Sequence, residues 1–271
     1  MILKSKEQVK SAIACLIFIF CVISAIMVLH SGVIESSGHI SGEVPILAYN
    51  INGNETSIQQ IESDIKFLVN KGYSPVFASD VAESLSSDKK LPTKPIVLLF
   101  EGGYSSYYTQ LFAILKKYYF KAVISVCGKQ SELASNSADD NTTFLRWEQI
   151  QQLHDSGLVE ISNETFSYHA SNGFAQKENE SYEDYQCRII ADIDRLQRLF
   201  ADYCGFESTV FTYPDKTASY SSSRFVKDLG FKAGLILGNS AVSTVGINKS
   251  NELRMPCLAR NTDKELSEIL K

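Results

Sequence analysis

Two glutamates, Glu101 and Glu164, are the residues of this chain best placed to do chemistry. Glu101 directly follows the apolar run 95–100, which has the length and composition of a buried strand. Glu164 comes shortly after a second predicted strand, 158–161. Barrel enzymes carry their catalytic groups at such strand ends. Two carboxylates that face each other across a groove raise one another's pKa and can supply the acid and the base that cleave a glycosidic bond.

The elements that must position these carboxylates alternate between strand and helix. The apolar runs predict strands over 44–49, 96–100, 121–126, 158–161, 209–213, 232–237 and 253–258. The intervening segments predict helices over 57–70, 105–119, 147–156, 181–203, 220–229 and 263–270, and a polar loop over 129–143. Such alternation indicates an α/β domain of parallel strands with right-handed crossovers, as either a barrel or an open sheet.

The N-terminal part of the chain predicts a membrane anchor. Residues 12–29 are uniformly apolar, and eighteen residues of helix rise about 27 Å, close to the thickness of a bilayer core. Lys4, Lys6 and Lys10 precede this run, which places the N-terminus in the cytoplasm. No Ala-x-Ala-like site ends the run, so an uncleaved single-pass anchor in the cell membrane is favoured over a signal peptide.

The resulting domain plan has four parts. Residues 1–11 are expected to form a cytoplasmic tail, 12–29 the transmembrane anchor, 30–43 a flexible linker, and 44–271 an extracytoplasmic domain. Net charge is −5 and no basic block follows the anchor, so nucleic acid is not an expected partner. Four cysteines lie outside the anchor, where disulfides can persist, but spacing leaves their pairing open: Cys127, Cys187, Cys204 and Cys257.

Several ordered segments resemble the polysaccharide deacetylase family (NodB-like carbohydrate esterases). Residues 100–104, Phe-Glu-Gly-Gly-Tyr, resemble its first motif, Thr-Phe-Asp-Asp-Gly-Tyr. The segments similar to the family's opening strand, its approach to the second motif, its groove wall and its closing strand are 44–50, 147–161, 211–214 and 253–256. The resemblance covers roughly residues 44–260 and implies a distorted (β/α) barrel with fewer than eight strands.

The resemblance also implies a chemistry, the metal-assisted hydrolysis of an N- or O-acetyl group on a glycan. In the family, an Asp-His-His site holds a divalent metal that activates water, and a preceding Asp is the general base. Glu101 stands at the position of that base. The three ligand positions are occupied by Gly102, Glu164 and Tyr168, and Gly102 has no side chain to bind a metal. We therefore expect no metal cofactor at the family's positions.

The groove that the resemblance implies has five expected glycan contacts, which are Tyr104, Glu164, Tyr168, Tyr213 and Pro214. The expected partner is a cell-envelope polysaccharide or peptidoglycan, and the expected function is glycan or partner binding without hydrolysis. Three alternatives stay open. They are a deacetylase with an altered, zinc-like site built from Glu101, Glu164 and His169, a glycoside hydrolase using the two glutamates, and an unrelated adaptor role.

Overall fold

A computed structural model describes residues 44–49, 55–168, 173–214, 218–237, 251–260 and 265–270. These residues belong to one compact unit, Gly38–Lys271. The predicted cytoplasmic tail, transmembrane segment and linker lie outside the described residues, as does His169. Among the helices that are described, none has both the length and the apolar character needed to cross a membrane.

The described residues of this unit contain eight strands, and all pairings between these strands are parallel. They are β1 Ile46–Tyr49, β2 Ser74–Pro75, β3 Pro95–Phe100, β4 Ala122–Val126, β5 Val159–Asn163, β6 Val210–Tyr213, β7 Ala233–Leu237 and β8 Met255–Ala259. Seven of them close a barrel in the order β1-β8-β7-β6-β5-β4-β3, because β3 pairs with β1. The two-residue β2 lies beside the start of β3. The predicted barrel of fewer than eight strands is confirmed.

Helices follow most of the strands and cover the outside of the barrel. They are α1 Glu55–Asn70, α2 Ala78–Ser86, α3 Phe112–Tyr118, α4 Gly128–Ser135, α5 Trp147–Asp155, α6 Tyr182–Cys204, α7 Tyr220–Asp228 and α8 Leu266–Ile269. The predicted helix 105–119 divides into a π-helical turn, Tyr107–Leu111, and α3. The prediction of a loop over 129–143 was wrong for its first part, where α4 forms because Ser131 and Ala134 are buried by the tertiary fold.

The core has two faces because successive side chains of a strand point to opposite sides. On β3, Ile96, Leu98 and Phe100 pack under the helices, whereas Val97 and Leu99 belong to a second cluster together with residues of the other strands. Residues of α2 join that second cluster, which therefore closes the barrel at the N-terminal ends of its strands. The barrel is thus a packed core rather than a pore.

Two carboxylates fix the closed barrel. Glu160 on β5 accepts hydrogen bonds from the backbone N–H groups of Ala78 (2.9 Å) and Ser79 (3.3 Å), at the start of α2. Asp64 on α1 accepts from Nε of Arg260 at 2.7 Å and from Nη2 at 3.0 Å, and both side chains are almost fully buried. Because Arg260 follows β8, this bidentate pair connects the first helix to the last strand.

The four cysteines outside the predicted anchor do not form disulfides with one another. Cys127, Cys204 and Cys257 are buried and Cys187 is exposed. Burial raises the pKa of Cys204 to about 12, with a smaller contribution from the nearby carboxylates of Glu148 and Asp155. The thiol of Cys204 is therefore protonated and packs as a small apolar side chain.

Candidate functional site

Glu101 lies at the carboxyl end of β3 and continues the inward-facing series of that strand. Its side chain is 9% exposed, and its backbone N–H donates to the carbonyl of Tyr49 at 3.0 Å. Burial and the nearby Glu101 carboxylate raise the pKa of Cys257, an inward residue of β8. The Glu101 carboxylate therefore lies inside the mouth of the barrel, where the sequence predicted it.

Glu164 lies at the corresponding end of β5 and is 2% exposed. Oγ of Ser125, on the intervening strand β4, donates to its carboxylate Oε2 at 2.5 Å. The same Oγ accepts a hydrogen bond from the backbone N–H of Gly102 at 3.3 Å. Ser125 thus connects the two strand ends that carry the glutamates, and it holds the Glu164 carboxylate toward the first motif.

Gly102 has a conformation and surroundings that disfavour a larger residue. Its φ is +89°, in the left-handed region that glycine tolerates and other residues do not favour. A Cβ atom built on it would lie 2.8 Å from Cε2 of Tyr104. The ring of Tyr104 therefore fills the space into which a side chain at 102 would project. An aspartate at this position, as in the family motif, would require that ring to shift from the place it takes here.

Tyr104 brings the two glutamates together. Its ring stacks on Phe144 with centroids 5.2 Å apart and meets the edge of Tyr107 at 5.8 Å. Burial, the Glu164 carboxylate and the Glu101 carboxylate all raise the pKa of its phenol. The hydroxyl is therefore protonated at neutral pH and lies within electrostatic reach of both carboxylates. Three of the predicted site residues thus form one cluster at the mouth of the barrel.

The turn after β5 is held by side chains that the sequence did not single out. Thr165 has φ +70°, which is uncommon for a β-branched residue. Oδ1 of Asn163 accepts from the Thr165 N–H at 2.9 Å, and Oδ1 of Asp192 accepts from the Phe166 N–H at 2.7 Å. Helix α6, which carries Asp192, therefore fixes the segment that contains Glu164.

The other predicted contacts lie in different surroundings. Tyr168 is partly buried, and the guanidinium of Arg188 lies 5.2 Å from the centre of its ring. Tyr213 is fully buried, and its hydroxyl donates to the carbonyl of Leu253 at 2.9 Å. Pro214 is buried beside it. The structure thus places Tyr213 in the layer between sheet and helices and does not bring it into the Glu101 cluster.

Ser125 and Tyr107 are the site residues that sequence reasoning missed. Ser125 is the one polar residue of the strand Ala122–Val126, and that isolated hydroxyl in an otherwise apolar strand was an available signal. Tyr107 is fully buried and donates its phenol hydrogen to the Glu101 carbonyl at 2.6 Å. Its role had no sequence signal, because the bond depends on how the turn after β3 folds back.

The donor set at the family's ligand positions does not fit a metal. A catalytic zinc site usually takes three protein ligands and leaves a fourth position open. Here Gly102 offers none, Glu164 is hydrogen-bonded to Ser125, and Tyr168 lies against Arg188. Within the described ranges, no three His, Cys, Asp or Glu side chains are grouped so that they could hold a metal ion. The residues at these three positions therefore cannot supply the family's metal-bound water.

Comparison with known proteins establishes the family. The polysaccharide deacetylase family model matches residues 88–234, more than half of the chain. The chain belongs to the polysaccharide deacetylase family. Among curated relatives, the poly-β-1,6-N-acetyl-D-glucosamine N-deacetylase of Escherichia coli K12 is 31% identical over 117 residues. That match spans 40% of this chain and only 17% of the E. coli protein.

Solved structures of other deacetylases share the fold. A de-N-acetylase from Aggregatibacter actinomycetemcomitans superposes with a TM-score of 0.71 at 22% identity, covering 84% of this chain and 98% of that one. The Streptococcus pyogenes deacetylase PplD gives a TM-score of 0.67 at 16% identity, covering 84% and 97%. Because both identities are low, these similarities support the barrel fold of this polysaccharide deacetylase family member but carry no information about its chemistry.

Proposed function

We propose that this polysaccharide deacetylase family member binds an acetylated cell-envelope glycan, or a partner, without hydrolysing it. The observation that carries the proposal is the substitution at Gly102, whose missing side chain is replaced in space by the Tyr104 ring. A glycine bonds no metal, and a side chain at this position could enter only if the Tyr104 ring shifted, because a Cβ atom would lie 2.8 Å from it. Without a metal, the pKa of water is not lowered, so water is a poor nucleophile toward an acetyl group at neutral pH.

The same cluster has groups suited to sugar recognition. Glu101 and Glu164 are hydrogen-bond acceptors at the mouth, and sugar hydroxyl and amide N–H groups are donors. Tyr104 is partly exposed and offers an aromatic edge beside them. By analogy with the E. coli relative, whose name states that it acts on poly-β-1,6-N-acetyl-D-glucosamine, the proposed ligand is a polymer that contains N-acetylglucosamine, such as that polysaccharide or peptidoglycan.

The proposed location is the outer face of the cell membrane. Its support is the apolar run 12–29, with lysines before it and none after it until Lys66. In this arrangement residues 30–43 connect the anchor to the deacetylase-like domain 44–271. An extracytoplasmic domain would meet envelope glycans directly.

A second candidate is a deacetylase with an altered metal site. It is favoured by one observation, that the Glu101 and Glu164 carboxylates both end strands at the mouth and both raise the pKa of the Tyr104 phenol. Carboxylate oxygens bind divalent ions such as zinc. In this candidate both carboxylates would be ligands, and a third ligand would have to come from elsewhere. His169, which follows Tyr168 in sequence, is the histidine that could supply it.

Calorimetry on the purified full chain distinguishes the two candidates. We expect β-1,6-linked N-acetylglucosamine oligosaccharides to bind, the de-N-acetylated oligosaccharides to bind more weakly, and Glu164→Gln to reduce affinity. Glu178→Gln, at an exposed glutamate, is the matched control. Acetate release that Glu101→Gln abolishes would refute the proposal. Tight binding of one zinc ion per chain, lost in Glu164→Gln, would support the altered metal site instead.

A further inference from the structure

One end of the barrel, opposite to Glu101 and Glu164, carries a group of exposed lysines. Helix α1 ends at Asn70, α3 ends at Tyr118, and Lys94 directly precedes β3. In a (β/α) barrel the carboxyl ends of the helices and the amino ends of the strands lie at the same end. We call the surface formed there by Lys71, Lys94, Lys116, Val69 and Tyr119 the basic face.

The basic face carries excess positive charge in an acidic protein. Residues 66–121 contain eight lysines, no arginine and four acidic residues, a net charge of +4, whereas the whole chain has −5. Some of the lysines are neutralised, because Lys117 and Lys66 approach the same carboxylate oxygen of Glu62 at 2.8 and 3.6 Å. Lys89 and Lys121 also form ion pairs, with Asp80 and Glu83, so the uncompensated charge comes from the other lysines of this region.

Three of these lysines lie on aromatic rings. Nζ of Lys71 lies 5.6 Å from the ring centre of Phe67, and Nζ of Lys116 lies 4.2 Å from that of Phe112. Lys94 lies 5.8 Å from the ring of Tyr73 and donates to the Lys71 carbonyl at 3.0 Å. No carboxylate in the described part of the chain forms an ion pair with these three. Their charges remain available to an external anion.

Large apolar side chains are exposed between the lysines. Tyr119 is 83% exposed and Val69 is 44% exposed. Tyrosine is enriched where a membrane meets water, because its ring is apolar and its hydroxyl is polar. Lysines keep their ammonium groups at the headgroups while their methylene stems cover apolar surface. Cations and an exposed tyrosine on one face match the boundary of a bilayer with anionic lipids.

The chain enters the domain at the same end. Val44 precedes β1, and the register of β1 with β3 sets Ile46 beside Val97, so that Val44 is near Lys94. Pro45 accepts a backbone hydrogen bond from Val97 at 3.0 Å. The predicted linker has fourteen residues, and a flexible linker of that length has a root-mean-square span of roughly 20 Å. That span is about two Debye lengths at physiological salt.

We propose that the basic face docks on the anionic headgroups of the membrane that holds the anchor. This inference rests on the anchor in the proposed function. Docking at this end turns the mouth that contains Glu101 and Glu164 away from the lipid and toward the glycans of the envelope. Because the linker keeps the domain close to the membrane, a weak attraction between each lysine and the anionic headgroups is enough to populate the docked state.

Hydrogen exchange of the full chain in vesicles tests this docking. Vesicles of pure phosphatidylcholine are compared with vesicles that contain phosphatidylglycerol. We expect the amides of 66–71 and 112–121 to exchange more slowly on the anionic vesicles, and this protection to be lost in Lys71→Glu/Lys116→Glu and in high salt. The control Lys129→Glu/Lys177→Glu makes the same charge change at exposed positions elsewhere and should keep the protection. Unchanged exchange of β3 amides verifies folding.

Each other outcome overturns a distinct statement. If the chain co-floats with both kinds of vesicle in a flotation assay, but 66–71 and 112–121 exchange equally on both, docking is refuted and the anchor stands. If the chain fails to float with phosphatidylcholine vesicles, the anchor itself is refuted. If soluble polyphosphate protects the same segments as well as the anionic vesicles do, the basic face binds an anionic polymer rather than a lipid surface.

Discussion

The cost of placing a side chain at position 102 can be measured. Gly102→Ala has two costs. A non-glycine residue in the left-handed region costs about 1–2 kcal/mol, and φ here is +89°. The new Cβ would also lie 2.8 Å from Cε2 of Tyr104, against the 3.4 Å or more of an ordinary contact. Overpacking of this kind costs about 1–3 kcal/mol. The substitution should therefore destabilise the protein by roughly 2–5 kcal/mol.

Only the second cost depends on the Tyr104 ring. In a Tyr104→Ala background, Gly102→Ala should cost about 1–2 kcal/mol, so the double-mutant cycle should show a coupling of about 1–3 kcal/mol. The assay is urea unfolding of the full chain, followed by the fluorescence of its single tryptophan, Trp147, which is buried. Gly157→Ala is the matched control, since Gly157 has φ +69° and no atom within 4 Å of the position that a Cβ atom would take.

Equal costs for Gly102→Ala in the two backgrounds would refute the assignment of this space to Tyr104. The result also bears on the metal. If the ring takes the place of a ligand, then Gly102→Asp with Glu164→His and Tyr168→His should bind zinc poorly. Adding Tyr104→Ala should improve zinc binding, measured by calorimetry. Tight binding by the triple variant alone would show that the ring moves away at little cost.

Three further predictions concern other carboxylates and their partners. Burial raises the pKa of Glu160 from its ordinary 4.5 to about 7. Between these two values the folded state holds a proton that the unfolded state releases. The free energy of unfolding should therefore fall by about 3 kcal/mol as pH rises through this window. Glu160→Gln should remove that fall in urea titrations, and an unchanged slope would contradict it. Arg260→Met leaves Asp64 buried without its cation and should lower the free energy of unfolding by about 3–5 kcal/mol. Adding Asp64→Leu replaces the whole ion pair and should recover part of this loss, as measured by thermal unfolding. Ser125→Ala removes the donor to Glu164 and should lower the free energy of unfolding by about 1–3 kcal/mol. Ser125→Thr keeps a hydroxyl and should have a smaller effect. A loss of glycan affinity without any loss of stability would contradict this structural role.

The sequence by itself determined the alternation of strands and helices and the strand ends that bear Glu101 and Glu164, and its resemblance to the family implied the barrel. Apolar runs of strand length and helical stripes such as that of α6 depend on local periodicity, which a sequence displays directly. The departure from the family pattern at Gly102 is likewise visible in the sequence, since a missing side chain needs no coordinates. These features indicated the family, which the comparisons confirm.

What surrounds those residues was decided only by the tertiary structure. Ser125 links Gly102 to Glu164 because β4 lies between β3 and β5, and strand order is not a local property. The Tyr104 ring covers Gly102 because the turn after β3 packs on Phe144, forty residues away in sequence. Side-chain directions in turns depend on such distant contacts, whereas the alternation along a strand is fixed by the backbone itself.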